Sequence, residues 1–455
     1  MAPPAIPAPI GQWDGMGSGC HGCSGVEAPP DTNGAVGKTQ YVEMVNVAVE
    51  IFDKLTGTSV LGPFPIDSVW FGFGGACEVN TDGDPVVVYD KFADRWIISQ
   101  FATPGGAPEP QDECIAVSQT GDATGAWYRY DFHISDQFSD YPKFGVWPDG
   151  YYMSANMFRF GCEQDCFLAP QPFVFDRAKM LVGDPTATAQ TPGRIGLPGQ
   201  EDPFLPSDLD GILPPPPGDP NHFVELTGEE EPDPHRLEAH SATLTSPQVT
   251  NVLYKVWAFH VDWDHPGNSS FTLQASIPAA DFNPLVCLDE EGEMTEACVP
   301  QKGTTNKLNS LSGGVMFRNA YHRFPDGRES MLNNLTVSVN SVAAIRWFEL
   351  QRALPGNWTI RQQKTYHPNN TWRWLGSIAS DNQGNIALGF SASSDTIYPQ
   401  IRYAGRRATD PLGILSGEQH LFDGTWYEAD PFPSWGDYSD MTIDPVDDCT
   451  FYHTN

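Results

Sequence analysis

The sequence predicts an all-β chain, a seven-bladed β-propeller with disulfide-stapled loops, on three observations. A short phrase recurs in residues 31–46, 140–154, 376–391 and 437–452: a polar start, a tight Asp/Gly turn, then a strand leaving through small or polar residues. Two short strands joined by a turn, repeated at long intervals, mark small sheets arranged radially. Gly (43) and Pro (41) are abundant and aromatics reach 12%, which suits many short strands rather than helices. No long apolar stretch has the 3.6-residue period, and the best helical segment, residues 176–182, is about two turns at most.

Taken in order, residues 1–28 are a Gly/Pro-rich arm expected to complete the last blade, and residues 29–455 form the propeller. Blade one spans about residues 31–58, with a strand at 47–52 and a tight turn at 53–57. Blade two holds 82–90, 95–101, 114–118 and 127–132; blade three holds 140–158 and 172–176. Blade four follows the stiff Pro-rich segment 214–217, with strands 222–226 and 253–263 around an exposed acidic loop at 229–234. Blade five is assigned 313–317, 330–339 and 343–350, and blade six 376–391 and 400–403. Blade seven runs from Gly436 onward with two strands of its own. Its open edge would invite a further strand from the arm or from another chain, so self-assembly through this blade is an expectation.

Hydrophobic residues make up 40% of the chain, enough for a packed core. The net charge is −33, from 25 basic and 58 acidic residues, and such a surface repels phosphate backbones, which excludes nucleic acid as a partner. Solubility explains the charge, and cation binding is the functional alternative, with Ca²⁺ the expected cofactor. No segment has the roughly 18–20 apolar residues of a membrane span. The Pro-rich N-terminus lacks a basic region and an apolar run, so a start after leader removal is the expectation.

The nine cysteines fall mainly into close pairs, Cys20/Cys23, Cys77/Cys114, Cys162/Cys166 and Cys287/Cys298, leaving Cys449. Local pairs in loop-rich sequence read as disulfides of an exported, extracellular protein. Cys449 is near the chain end and could staple to Cys20 or Cys23 if the chain ends share a blade. Ser24 follows Cys23, so haem attachment is excluded, and no second Cys/His pair completes a zinc site. Asn268, Asn334, Asn357 and Asn369 begin glycosylation sequons.

The runs Pro30-Asp-Thr-Asn-Gly-Ala-Val-Gly37, Asp84-Pro-Val-Val-Val-Tyr-Asp90, Asp140-Tyr-Pro-Lys-Phe-Gly-Val-Trp-Pro-Asp149 and Trp435-Gly-Asp-Tyr-Ser439, with residues 376–394, carry a resemblance over about residues 29–455. The chain resembles an uncharacterised family of secreted bacterial seven-bladed, sialidase-like β-propeller proteins. That resemblance implies export and propeller architecture, and no activity. Related chains usually continue into a further strand. The Asp-box of sialidases, Ser-x-Asp-x-Gly-x-Thr-Trp, is not matched by Ser380-Asp-Asn-Gln-Gly-Asn385, and no WD or kelch signature occurs.

Propellers bind ligands where the innermost strands begin, at the mouth of the central channel. Asp31, Asp84, Asp140 and Asp437 occupy equivalent starts in four blades. A ring of such acids would raise its members' pKa values or capture a cation, whereas isolated acids would cap their own turns. Asp31 and Asn33 are the metal-ligand candidates, in half of a Ca²⁺ loop. Asp140, Tyr141, Asp437, Tyr438 and His322 are the catalytic candidates, a carboxylate beside a Tyr or His acting as acid, base or nucleophile. Asp84, Arg318 and Tyr321 are the ligand-binding candidates, with Arg323, His240 and His260 beside them in a second set. His260 is expected to be a core histidine. Trp372, Trp374 and Trp426, if exposed, could stack on sugar rings, and packing between blades is the preferred reading. No nucleotide loop, serine-hydrolase elbow or zincin motif is present. The expected roles are an extracellular glycan- or protein-binding module, a glycosidase or polysaccharide lyase, or a subunit of a surface assembly.

Overall fold

The structure is a computed structural model that describes residues 6–17, 29–103, 111–135, 137–159, 167–195, 204–230, 249–284, 286–287, 295, 297–312, 314–429 and 435–455. The first sheet is an antiparallel meander of β1 (Asn33–Val36), β2 (Gln40–Val45), β3 (Ala48–Asp53) and β4 (Ser59–Pro65). The second is β5 (Val86–Asp90), β6 (Arg95–Ala102), β7 (Gln111–Ser118) and β8 (Trp127–Ser135). The third is β9 (Phe138–Trp147), β10 (Gly150–Phe158), β11 (Phe167–Phe175) and β12 (Ala189–Gln190). The fourth is β13 (Phe204–Asp210), β14 (Asn221–Glu230), β15 (Val249–His260) and β16 (Ser270–Pro278). The fifth is β17 (Asn319–Arg323), β18 (Arg328–Val339), β19 (Val342–Ala353) and β20 (Thr359–Tyr366). The sixth is β21 (Trp372–Ser380), β22 (Ile386–Ser394), β23 (Ile397–Arg406) and β24 (Ser416–Asp423). A seventh unit has, among the described residues, β25 (Asp440–Ile443) and β26 (Phe451–Thr454).

The first strands β1, β5, β9, β13, β17, β21 and β25 lie side by side in that order, and β25 closes against β1. This is a propeller ring around a central channel. Among the described residues six units carry four strands and the seventh carries two. β13 and β17 approach closely enough to pair in parallel, from Ser207 with Asn319 to Asp210 with His322, which merges the fourth and fifth sheets at their inner edge. Side chains stitch other neighbours. Asn33 accepts from Val87 N at 2.8 Å and donates to Pro85 O at 2.6 Å. Asp208 accepts from Val146 N at 2.9 Å. β9 and β13 are so close that a Cβ on Gly145 would lie 2.4 Å from Ser207 O, so only glycine fits there.

The period-2 alternation of strands builds the packing between blades. On β5, Val87 and Tyr89 face the first sheet, in a core with Met44, Ile51, Trp70 and Trp96. Val86 and Val88 face the third, in a core with Phe144, Tyr151, Phe173 and Phe175. The same alternation on β6 and β7 places Ile98 and Ala116 on one side, Ile97 and Val117 on the other. Each fully buried large side chain of this kind contributes about 1.5–3 kcal/mol. Among the described residues two disulfides form: Cys77–Cys114 ties the helical turn Ala76–Val79 to β7, and Cys287–Cys298 closes a loop. Cys449 is exposed and unpaired among the described residues; Cys20, Cys23, Cys162 and Cys166 lie outside them.

Several expectations need correcting. The innermost strand of the fifth sheet is Asn319–Arg323, not residues 313–317, of which Val315 makes only an isolated bridge to Leu335. The fourth sheet begins earlier than expected, at Phe204–Asp210, and segment 214–217 lies between its first two strands. Both inner strands were hidden by polar residues that face the channel, Asp208 and Asp210 among them, which erase the apolar alternation. The 176–182 helix is a single turn, Arg177–Met180, capped by Asp176. Asn334 is fully buried and cannot carry a glycan, while Asn268, Asn357 and Asn369 are exposed. His260 is exposed, not core, whereas Trp374 is fully buried, in line with packing between blades.

The arm residues 6–17 contain no strand. They reach from the sixth sheet, where Pro7 O accepts from Tyr403 Oη, to the first, where Met16 N donates to Glu43 Oε2 at 2.9 Å. β26 leans on the first sheet, Tyr452 stacking on Tyr41 at 5.7 Å.

Candidate functional site

Among the channel-lining strands, β1, β5 and β25 are entered through a sharp turn made by a left-handed residue. Asp31 (φ 47°), Asp84 (φ 47°) and Asp437 (φ 67°) take this conformation two or three residues before β1, β5 and β25. Asp is among the few non-glycine residues that adopt it readily. In β9 the left-handed residue is Tyr141 (φ 54°), one position after Asp140. The four acids are therefore not strictly equivalent, and a bulky aromatic bears the backbone strain, a feature that clusters at functional sites.

These turns bring Asp31, Asp84, Asp140, Asp437, Tyr141 and Tyr438 together at the end of the channel where the inner strands begin. Asp84 Oδ2 accepts from Tyr141 N at 3.0 Å and from Tyr438 Oη at 3.0 Å, so it joins three blades instead of capping its own turn. Asn46 bridges two acids, donating to Asp31 Oδ2 at 2.5 Å and accepting from Asp84 N at 3.0 Å. Tyr141 Oη donates to Asp437 O at 2.9 Å. Asp84, Asp140 and Asp437 are half-buried and Asp31 is buried.

The residue at the centre, Lys143, is marked by no motif in the sequence. Lys143 is 2% exposed, and its ammonium sits between two tyrosine rings, 3.1 Å from the Tyr141 centroid and 3.5 Å from that of Tyr438. Its one hydrogen bond goes to Pro142 O at 3.3 Å, and it makes no ion pair among the described residues. The cation that the acid ring surrounds is thus the protein's own. The signal was present in the sequence as a Lys three residues after Asp140, but only the β9 bulge turns it inward.

Burial sets the electrostatics of the group. It pushes Asp140 up to about 7, with the Asp84 charge adding to the rise and Lys143 opposing it. Asp437 is pushed up to about 7 by burial and then by Asp84. Asp31 stands well above the carboxylate range through burial and the charges of Asp84 and Asp437; Asp84 is raised by burial and held back by Lys143. Desolvation brings Lys143 down to about 7 against the attraction of all four acids. A fifth acid, Glu113 on β7, is fully buried near Asp84 and is raised well above its usual range by that burial. Near neutral pH the site therefore holds carboxylic acids, carboxylates and an amine in exchange, the condition for proton donation and acceptance in one place.

The second set divides, with Arg318 and His322 both neighbours of Asp210 and Tyr321 apart from them. Arg318 lies inside the channel, 1% exposed, paired with Asp208 at 2.8 Å and Asp210 at 2.7 Å and donating to Met441 O at 2.7 Å. Asp440 beside it has neither carboxylate oxygen hydrogen-bonded among the described residues, and burial holds it well above its usual range. Tyr321 is buried in the fifth sheet, donating to Glu329 and packing edge-on against Trp147. His322 lies at the opposite end of the channel near Lys91 and Asp210, brought down to about 4 chiefly by burial. Arg323 donates to Pro214 O at 3.0 Å. His240 lies outside the described residues. Asn33's amide is engaged by Asp31 O, Pro85 O and Val87 N, and among the described residues no cluster of three or more His, Cys, Asp or Glu has the form of a metal site.

No protein-family model matches the chain, and no curated protein is similar to it. Among solved structures it is similar to the NanB sialidase of Streptococcus pneumoniae, at 10% identity and TM-score 0.39 over 90% of this chain and 77% of that one. It is similar to an α-L-arabinanase of Penicillium chrysogenum complexed with arabinobiose, at 8% identity and TM-score 0.35 over 87% and 94%. An endo-arabinase of Bacteroides thetaiotaomicron VPI-5482 is similar at 13% identity and TM-score 0.30 over 72% and 95%. At these scores the likenesses carry no argument about chemistry, and the propeller description rests on the strand pairing above.

Proposed function

We propose that the chain is an extracellular glycan-directed enzyme of the glycoside-hydrolysing class, working at the channel mouth. The observation that carries this reading is the pair of half-buried carboxyls Asp140 and Asp437, both raised to about 7 in one cluster around Lys143. Glycoside hydrolysis requires one carboxyl to protonate the leaving oxygen and another, ionised, to attack the anomeric carbon or activate water. Neither side chain is committed to a hydrogen bond with another side chain among the described residues, so both are free to accept from sugar hydroxyls. A neutral glycan suits the site better than an anionic one, since four acids surround a single amine in a chain of net charge −33. The two disulfides support an oxidising, extracellular setting.

Asp140→Asn and Asp437→Asn are each expected to lower release of reducing ends from neutral polysaccharides by about 10²-fold or more, the usual contribution of a general acid or base, with the near-ultraviolet dichroism unchanged. The wild-type rate is expected to peak near pH 7, where one carboxyl is protonated and the other ionised. Absence of any turnover of neutral oligosaccharides between pH 5 and 8 would overturn the enzymatic reading. Binding without turnover would favour the glycan-binding alternative, for which the hydrogen-bonded state of Asp31 and Asp84 is the supporting observation.

A further inference from the structure

The meander places a second feature on the same face as the mouth. β21 starts at the mouth end, so β23 also starts there and β24 ends there. Tyr398, at the start of β23, and Trp426 and Tyr427, just past β24, therefore stand on the rim of that face. Trp426 is 65% exposed. Its ring lies 6.2 Å from Tyr398 at an interplanar angle of 23° and 5.1 Å from Tyr427 at 26°, so the three rings stack on one another in a shelf whose accessible surface is chiefly Trp426. Lys302 covers Tyr398 at 4.8 Å and supplies a polar edge.

The shelf is held by backbone bonds. Gly424 N donates to Pro399 O at 3.1 Å, Lys302 N to Ile397 O at 3.2 Å, and Glu428 N to Gln301 Oε1 at 2.7 Å. Gln301, 2% exposed, also donates back to Glu428 O at 3.3 Å. A preorganised aromatic surface binds a flat partner without an ordering cost. No core packing accounts for the exposure of Trp426, whereas the other tryptophans named from the sequence are partly or fully buried.

We infer that Tyr398, Trp426 and Tyr427 form a distal subsite that stacks on sugar rings of a neutral polysaccharide and leads the polymer across the sixth blade to the mouth. The charge of the chain argues against stacked nucleic-acid bases, the other polymer such a shelf could hold. The inference rests on the glycan class proposed for the mouth, but not on catalysis there.

The test is affinity electrophoresis of the full chain in gels containing arabinan, xylan or mixed-linkage β-glucan, with reducing-end assays on the same polymers and on short oligosaccharides. Trp426→Ala is expected to weaken retardation by about tenfold, the loss of roughly one stacking interaction, and Trp426→Phe to retain most of it. Trp426→Ala should slow hydrolysis of polymer while leaving short oligosaccharides unaffected. Retardation unchanged in Trp426→Ala, or no retardation of the wild type by any of the three polymers, would overturn the subsite. Turnover of short oligosaccharides decides the mouth reading separately. The exposure of Trp426 makes misfolding of the variant a minor concern, and the Phe variant controls for it.

Discussion

Replacing Lys143 with Met is expected to make the protein more stable by about 2–3 kcal/mol between pH 5 and 8. Lys143 is brought down to about 7 in the fold from an ordinary value of 10.5. A base whose folded pKa is depressed binds fewer protons folded than unfolded across that window. Its cost to stability is therefore fully present below pH 7 and disappears as the pH rises through 10.5. Met preserves the length and packing of the side chain between the two tyrosine rings and removes the cost. The Asp carboxyls bear the opposite pH trend. Their folded pKa values of about 7 exceed the ordinary 3.8, so their contribution is present below 3.8 and is lost as pH rises through 7. Without the Lys143 charge, which opposes their rise, these values climb further. The acid limb of the activity profile is then expected to move to higher pH by about one unit. Urea unfolding at pH 5, 8 and 10 reads the stability, with the gain shrinking at pH 10. A variant less stable than wild type at pH 5 would mean that the ammonium is an indispensable counter-ion. A stable but impaired variant would show a site that retains strain and buried charge for function.

Arg318→Ala is expected to act in the opposite direction, with a loss of about 3–5 kcal/mol. Both cations are buried, but their geometry differs. Arg318 makes ion pairs at 2.8 and 2.7 Å and a third bond to Met441 O, and those contacts outweigh its desolvation and hold its pKa above the ordinary value. Lys143 has rings around it and no ion pair among the described residues. Removing Arg318 leaves Asp208 and Asp210 without that partner in the centre of the ring. Asp208 and Asp440 are already raised by burial, and both rise further once the guanidinium is gone. The destabilisation is therefore expected to ease as the pH falls and these carboxyls take up protons. Chemical unfolding at pH 4.5 and 7.5 measures this. A loss under about 1 kcal/mol at pH 7.5 would mean that water replaces the guanidinium at little cost.

The architecture was legible because it depends on local chemistry. Turn residues, short alternating strands and the recurring acidic start are properties of neighbouring positions, and they placed Asp31, Asp84 and Asp437 at the starts of inner strands. Strands with clean alternation, such as β5 to β7, were found where the structure has them. β13 and β17 were not, because channel-facing polar residues break the pattern that reveals a strand. Local chemistry thus specifies a repeated all-β chain with acids at its turns. The packing of distant strands settled the rest: Lys143 is the cation within those acids, Arg318 and His322 share Asp210 as a neighbour while Tyr321 is buried in the fifth sheet, and Trp426 is exposed while Trp374 is buried. The reason is physical. A residue's turn preference is set within a few bonds, whereas its burial, charge and partners are set by strands that meet around a ring from distant parts of the chain.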